Sequence, residues 1–144
     1  MKMKSGKELL SAVLKTTQMN QTGIRSVLDA ATAPGLRHAL EARLREFDGI
    51  ENEVHSIASQ RCWELQELDP AIRFLSDRIS RMKLTRGDCD SRIADMMIQG
   101  STKGMIRGLR DLHQYPHPDD RISSISQKLL DCQTASIRQM QNFL

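Results

Sequence analysis

Apolar residues return along this chain at steps of three and four, the pattern of helices that each bury one stripe. Leu10, Leu14, Thr17, Gln21, Ile24, Leu28 and Ala31 form the first series. Ser5 precedes it as an N-cap, and Glu8 occupies the capping-box position three residues on. The series stops at Thr32-Ala-Pro-Gly35, where proline and glycine punctuate the chain. Leu36, Leu40, Leu44, Phe47, Glu51, Val54, Ala58, Arg61 and Leu65 then predict a second helix from about residue 35 to 65. Asp69 and Pro70 cap and open a short amphipathic helix carrying Ile72, Leu75, Ile79 and Met82, followed by a polar connection over residues 83–90. From Asp69 to Asp90 the chain has enough reach to cross the length of a bundle. A third helix is expected over residues 90–114. A fourth follows the break at Tyr115-Pro-His-Pro-Asp119, with Ile122, Ile125, Leu129, Cys132, Ser136, Met140 and Phe143 on its inward face. The pattern predicts one all-α domain over residues 1–144, a four-helix bundle with Leu14, Phe47, Val54, Leu129 and Met140 in its core.

Both helical pairs interrupt their stripes with polar residues at mid-height. Thr17 lies as far before Ala33 as Gly49 lies after it, so in an antiparallel hairpin Glu51 faces Gln18 and Gln21. Counting outward from Pro116 sets Gln99 and Ser101 against Gln133 and Ser136. The predicted layer is therefore Gln18, Gln21, Glu51, Gln99, Gln133 and Ser136. Glu51 is expected to be paired by Gln18, Gln21 or Arg25, because buried acids are paired. On the third helix Gly100, Gly104 and Gly108 line one face, at about 1 kcal/mol each relative to alanine. Such a stripe points to close approach by another element of the chain, with self-association through the same glycines as the sharper reading.

Composition agrees with a soluble helical domain. Hydrophobic residues make up 39% and charged residues 27%, while 3% aromatics and eight methionines leave the core to aliphatic and thioether side chains. A net charge of +3, dispersed along the chain, argues against a nucleic-acid protein. Arg73, Arg78, Arg81, Lys83 and Arg86 read as a solvated face rather than a nucleic-acid surface. No apolar run approaches the roughly 20 residues that span a bilayer. The charged start, Met1-Lys-Met-Lys-Ser-Gly-Lys7, is unlike a secretory segment, and the three widely spaced cysteines suit a reduced, cytoplasmic protein.

Candidate chemistry is sparse. There is no phosphate loop, nucleophile elbow or triad, so no catalytic and no cofactor-binding residue is assigned. Cys62, Cys89 and Cys132 are too far apart for a zinc motif; Cys132 reads as buried and inert, Cys89 as a loop thiol open to reaction. His55 belongs at the seam's edge, and Pro116 separates His113 from His117. Met96, Met97 and Met105 are core filler, and Trp63 packs the end of the second helix.

Two antiparallel hairpins, a crossover and a mid-height polar layer resemble the ferritin-like superfamily. Within it they resemble the small proteins of Gram-positive spore formers that include spore-coat relatives. The likeness is carried by Thr16-Thr-Gln-Met-Asn-Gln-Thr-Gly-Ile24, Trp63-Glu-Leu-Gln-Glu-Leu-Asp-Pro70, Ile93-Ala-Asp-Met-Met-Ile-Gln-Gly-Ser-Thr-Lys-Gly-Met105 and Lys128-Leu-Leu-Asp-Cys132. The resemblance implies a di-metal centre built from a Glu on each of two helices and Glu-x-x-His on the others. Here Glu51 is followed by Val54, Asn52 precedes His55, and Gln133 stands three before Ser136, so the ligands are lost and no metal is expected. The implied protein is a non-enzymatic, degenerate ferritin-like bundle working through protein contacts in sporulation or stress, cytoplasmic or spore-associated. The alternative is an iron-handling or oxidoreductase bundle with an unconventional site.

Overall fold

The computed structural model describes residues 5–70, 89–116 and 119–144. Among them are four α-helices and no strand: α1 (Gly6–Val27), α2 (Pro34–Gln60), α3 (Cys89–His113) and α4 (Asp120–Met140). Ser5 caps α1 by accepting the Glu8 N–H at 3.1 Å, while its hydroxyl donates to the Glu8 carboxylate at 3.3 Å. The α-helix ends at Val27, and a 3-10 turn, Leu28–Ala30, carries the chain to Pro34 at the start of α2.

The second helix is shorter than its stripe predicts. Cys62 adopts φ 55°, Trp63 N–H bonds to Ala58 C=O at 2.9 Å, and Cys62 N–H bonds to Ser59 C=O at 3.2 Å. These two bonds close a Schellman motif, which ends α2 at Gln60 with a non-glycine residue in the left-handed position. Arg61 and Leu65 therefore lie beyond the helix. From Trp63 the chain climbs the side of α1: Gln66 N–H bonds to Ser11 Oγ, Lys15 Nζ to Gln66 Oε1, and Leu68 N–H to Gln18 Oε1. The expected short helix with Ile72, Leu75, Ile79 and Met82 falls outside the described residues.

Contacts at the two ends give the helix directions. Asp90, at the start of α3, accepts hydrogen bonds from Thr32 N–H (2.8 Å), Thr32 Oγ1 (2.7 Å) and Ala33 N–H (2.9 Å) in the α1–α2 turn. Phe143, just past α4, packs at the same end against Gly35. At the other end Gly6, Trp63, Tyr115 and Ile122 meet. The helices thus run up, down, down, up. α1 packs beside α2 and α3, and α4 beside α3 and α2.

The core forms along the predicted stripes. Leu14, Phe47, Val54, Leu129 and Met140 are all buried. On α2 the buried series passes through Phe47, Ile50, Val54 and Ile57, which leaves Leu44 and Glu51 half-buried at its margin. No helix among the described residues is long and apolar enough to cross a membrane.

Candidate functional site

The mid-height polar residues fall into two separate groups. The first lies between α1, α2 and the climbing segment. Gln18 and Gln21, three apart on α1, present their amides to α2 and are buried. Gln18 Nε2 donates to Glu51 Oε2 at 3.2 Å and to Glu67 Oε1 at 3.4 Å, while its Oε1 accepts the Leu68 N–H. Gln21 Nε2 donates to Asp48 Oδ1 at 2.8 Å and to Glu51 Oε1 at 3.3 Å. Each amide nitrogen has two protons, and both are used in each case. Glu51 is held as expected by the two glutamines, but Arg25 pairs with Asp48 at 3.4 Å instead. His55 sits exposed on the rim, 3.7 Å from Glu67. Asp48 and Glu67 were not singled out from the sequence. Asp48 precedes Glu51 by three residues and so shares its face, which was a usable signal; Glu67 joins only through the path of the climbing chain.

The second group is on α3 and α4. Ser101, Gln133 and Ser136 are fully buried, and among the described residues the Ser101 and Ser136 hydroxyls and both amide atoms of Gln133 have no hydrogen-bond partner. Gln133 lies against Gly104 so closely that a Cβ on that glycine would fall on its amide nitrogen. Leu130 packs over Gly108 less tightly, its Cδ2 3.1 Å from where a Cβ would stand, and Gly100 faces open space. The stripe is therefore taken up inside the molecule at Gly104 and Gly108, which corrects the self-association reading for those two glycines.

Gln99 is corrected as well. It is exposed and donates to Asp95 at 2.9 Å. Gly104 packs against Gln133 and Gly108 against Leu130, five and six residues further along α4 than a count from Pro116 sets them. Ser101, two residues and about 200° round the helix from Gln99, takes the inward position.

The layer does not suit the di-metal centre the resemblance implies. The α3–α4 half supplies one amide and two hydroxyls, which are weak ligands for a transition metal. The α1–α2 half supplies carboxylates whose oxygens already accept from Gln18, Gln21 and Arg25. Among the described residues, no three of His, Cys, Asp and Glu group in a way that could hold a metal ion.

The thiols offer no nucleophile at this level. Burial pushes Cys132 up to about 12, and the Glu46 carboxylate that accepts its S–H at 3.1 Å adds to the rise against the opposing effect of Arg43. Cys132 therefore stays protonated at neutral pH. Cys89 is the first residue of α3 rather than a loop thiol. His113 is exposed in the last turn of α3, and His117 lies outside the described residues. Met97 is buried, while Met96 and Met105 are half-buried. Trp63 packs against the core with the Arg61 guanidinium 5.1 Å from its ring. No protein family, curated protein or solved structure matches this chain.

Proposed function

We propose that the protein is a non-catalytic, ferritin-like helical bundle that acts through protein contacts, in sporulation or stress, with amides and hydroxyls where metal ligands would stand. The observation that carries this reading is the use of Glu51: both of its oxygens accept from Gln18 and Gln21, which turns a metal-ligand position into a structural tie between α1 and α2. The helix directions, with one long connection between α2 and α3, support the ferritin-like assignment. An iron-handling role would have to be built on Asp48, Glu51 and Glu67, the carboxylates that converge on the two glutamines. Their partners would have to be displaced first.

Elemental analysis of untagged protein from iron-supplemented cells tests the proposal. The expected result is no stoichiometric iron, manganese or zinc. About two irons per chain, lost in Glu51→Ala, would overturn it in favour of the oxidoreductase reading.

A further inference from the structure

The outward face of α3 carries an unusual combination. Between residues 99 and 113 the exposed side chains include Ile106, Leu109, Lys103, Arg107 and Arg110, and no exposed residue in that stretch is acidic. Ile106 and Leu109, 47% and 46% exposed and three residues apart, are neighbours on the helix surface. Lys103, Arg107 and Arg110 follow along one edge of that pair, the edge toward α1. Lys103 and Arg107 also line a cleft of about 190 Å³ between α1 and α3, beside Met19 and Met96. The opposite edge of the aliphatic pair leads to Met105, half-buried against Thr134 of α4. The backbone beneath is anchored, because Gln133 and Leu130 pack directly on Gly104 and Gly108. The face is thus rigid, apolar along its middle and basic along one side.

We propose that this face of α3 docks an acidic amphipathic helix of a partner protein, with Ile106 and Leu109 as the apolar anchors and Lys103, Arg107 and Arg110 pairing with carboxylates on the partner. This rests on the protein-contact reading above and names the surface and partner chemistry for it. An aliphatic pair bordered on one side by Lys103, Arg107 and Arg110 fits an interface with an apolar centre and a polar rim. The 12 residues from Thr102 to His113 span about 17 Å, enough to receive three turns of a helix. A second copy of the chain fits less well. On this stretch of α3 the half-buried Asp111 beside Arg107 is the one acid against three exposed cations, and an antiparallel two-fold pairing would set the two basic edges side by side. A membrane surface gains little from it, since interfacial helices insert a continuous apolar face and this one offers two exposed aliphatics.

The test is a fluorescence-anisotropy titration of the full chain with a labelled peptide of about 18 residues. The peptide carries leucines at i, i+3, i+4 and i+7, and glutamates on its flanks. A shuffled peptide of the same composition serves as the control. The stripe-bearing peptide should bind about tenfold more tightly than the shuffled one. Ile106→Ser with Leu109→Ser should abolish that preference. Lys103→Glu with Arg107→Glu and Arg110→Glu should weaken both peptides and remove most of the salt dependence. These sites are exposed, so unchanged melting temperatures are expected and separate lost binding from lost folding. Equal binding of both peptides, or unchanged binding by the variants, would overturn the proposal. So would preferential binding to phosphatidylglycerol vesicles or to a single-stranded oligonucleotide, or a dimer in solution that Ile106→Ser with Leu109→Ser dissociates. The metal content of the same preparation reports separately on the non-catalytic reading.

Discussion

Gly100 and Gly104 are one turn apart on the same helix, yet the protein treats them oppositely. Nothing lies within 4 Å of a Cβ placed on Gly100, so Gly100→Ala should stabilise the protein by about 1 kcal/mol through helix propensity alone. At Gly104 the Gln133 amide and the Thr16 methyl already occupy the space, and Gly104→Leu should destabilise by about 1–3 kcal/mol. Chemical denaturation of the two variants checks the pair; a stabilised Gly104→Leu would mean that α4 does not press on this point. Gln133 itself contributes two buried polar atoms with no partner among the described residues, each costing about 1–3 kcal/mol when left unbonded. Gln133→Leu should therefore be neutral or stabilising, read as an unchanged or higher denaturation midpoint. A loss above about 1 kcal/mol would show that the amide is satisfied by bound water.

For the elements, the end of α2 is the informative case. Periodicity continues through Arg61 and Leu65, but a left-handed residue at Cys62 stops the helix five residues earlier. A side chain in that conformation is disfavoured by roughly 1 kcal/mol relative to glycine. Cys62→Gly should accordingly raise stability by up to about 1 kcal/mol, measured by thermal or denaturant unfolding, since the side chain lost is exposed. The shortened helix frees residues 61–68 to run up α1, which is how Glu67 and the Leu68 N–H reach Gln18.

Across the whole molecule, Asp90 ties the start of the second hairpin to the turn of the first. The Thr32 N–H is the largest influence holding this carboxyl below its ordinary value of 3.8; desolvation opposes it, and the Thr32 hydroxyl and Ala33 N–H reinforce it. A carboxyl depressed on folding adds stability that is complete above the unfolded value. That stability is lost as pH falls through the lower folded one. The tie should therefore weaken only below about pH 4. Asp90→Asn should lower the melting temperature at pH 7 and show a smaller further drop on acidification below pH 4 than the parent chain. Equal acid sensitivity in the two would remove Asp90 from this role. At Asp119 desolvation pushes the pKa up, but Arg61 and the Ile122 and Arg121 N–H groups outweigh it, so the parent keeps a second acid-sensitive tie at the other end of the bundle.

Much of this was legible in the sequence because helical periodicity and capping are local. Ser5, the proline and glycine at the first turn, and the stripes through Leu14, Phe47 and Leu129 need only neighbouring residues to be read. The pairing of Glu51 with Gln18 and Gln21 was legible too, since a short turn leaves little freedom in the register of a hairpin. What the sequence could not decide were quantities set by contact between elements. Gly104 and Gly108 meet Gln133 and Leu130 at a level that counting from the proline does not give. The left-handed cap at Cys62 overrides an apolar repeat that would otherwise continue. Whether a glycine is filled or open depends on which helix lies against it. A residue's angular position on its own helix follows from covalent geometry, whereas its level against the neighbouring helix is settled only when side chains such as Gln133 and Leu130 pack across the gap.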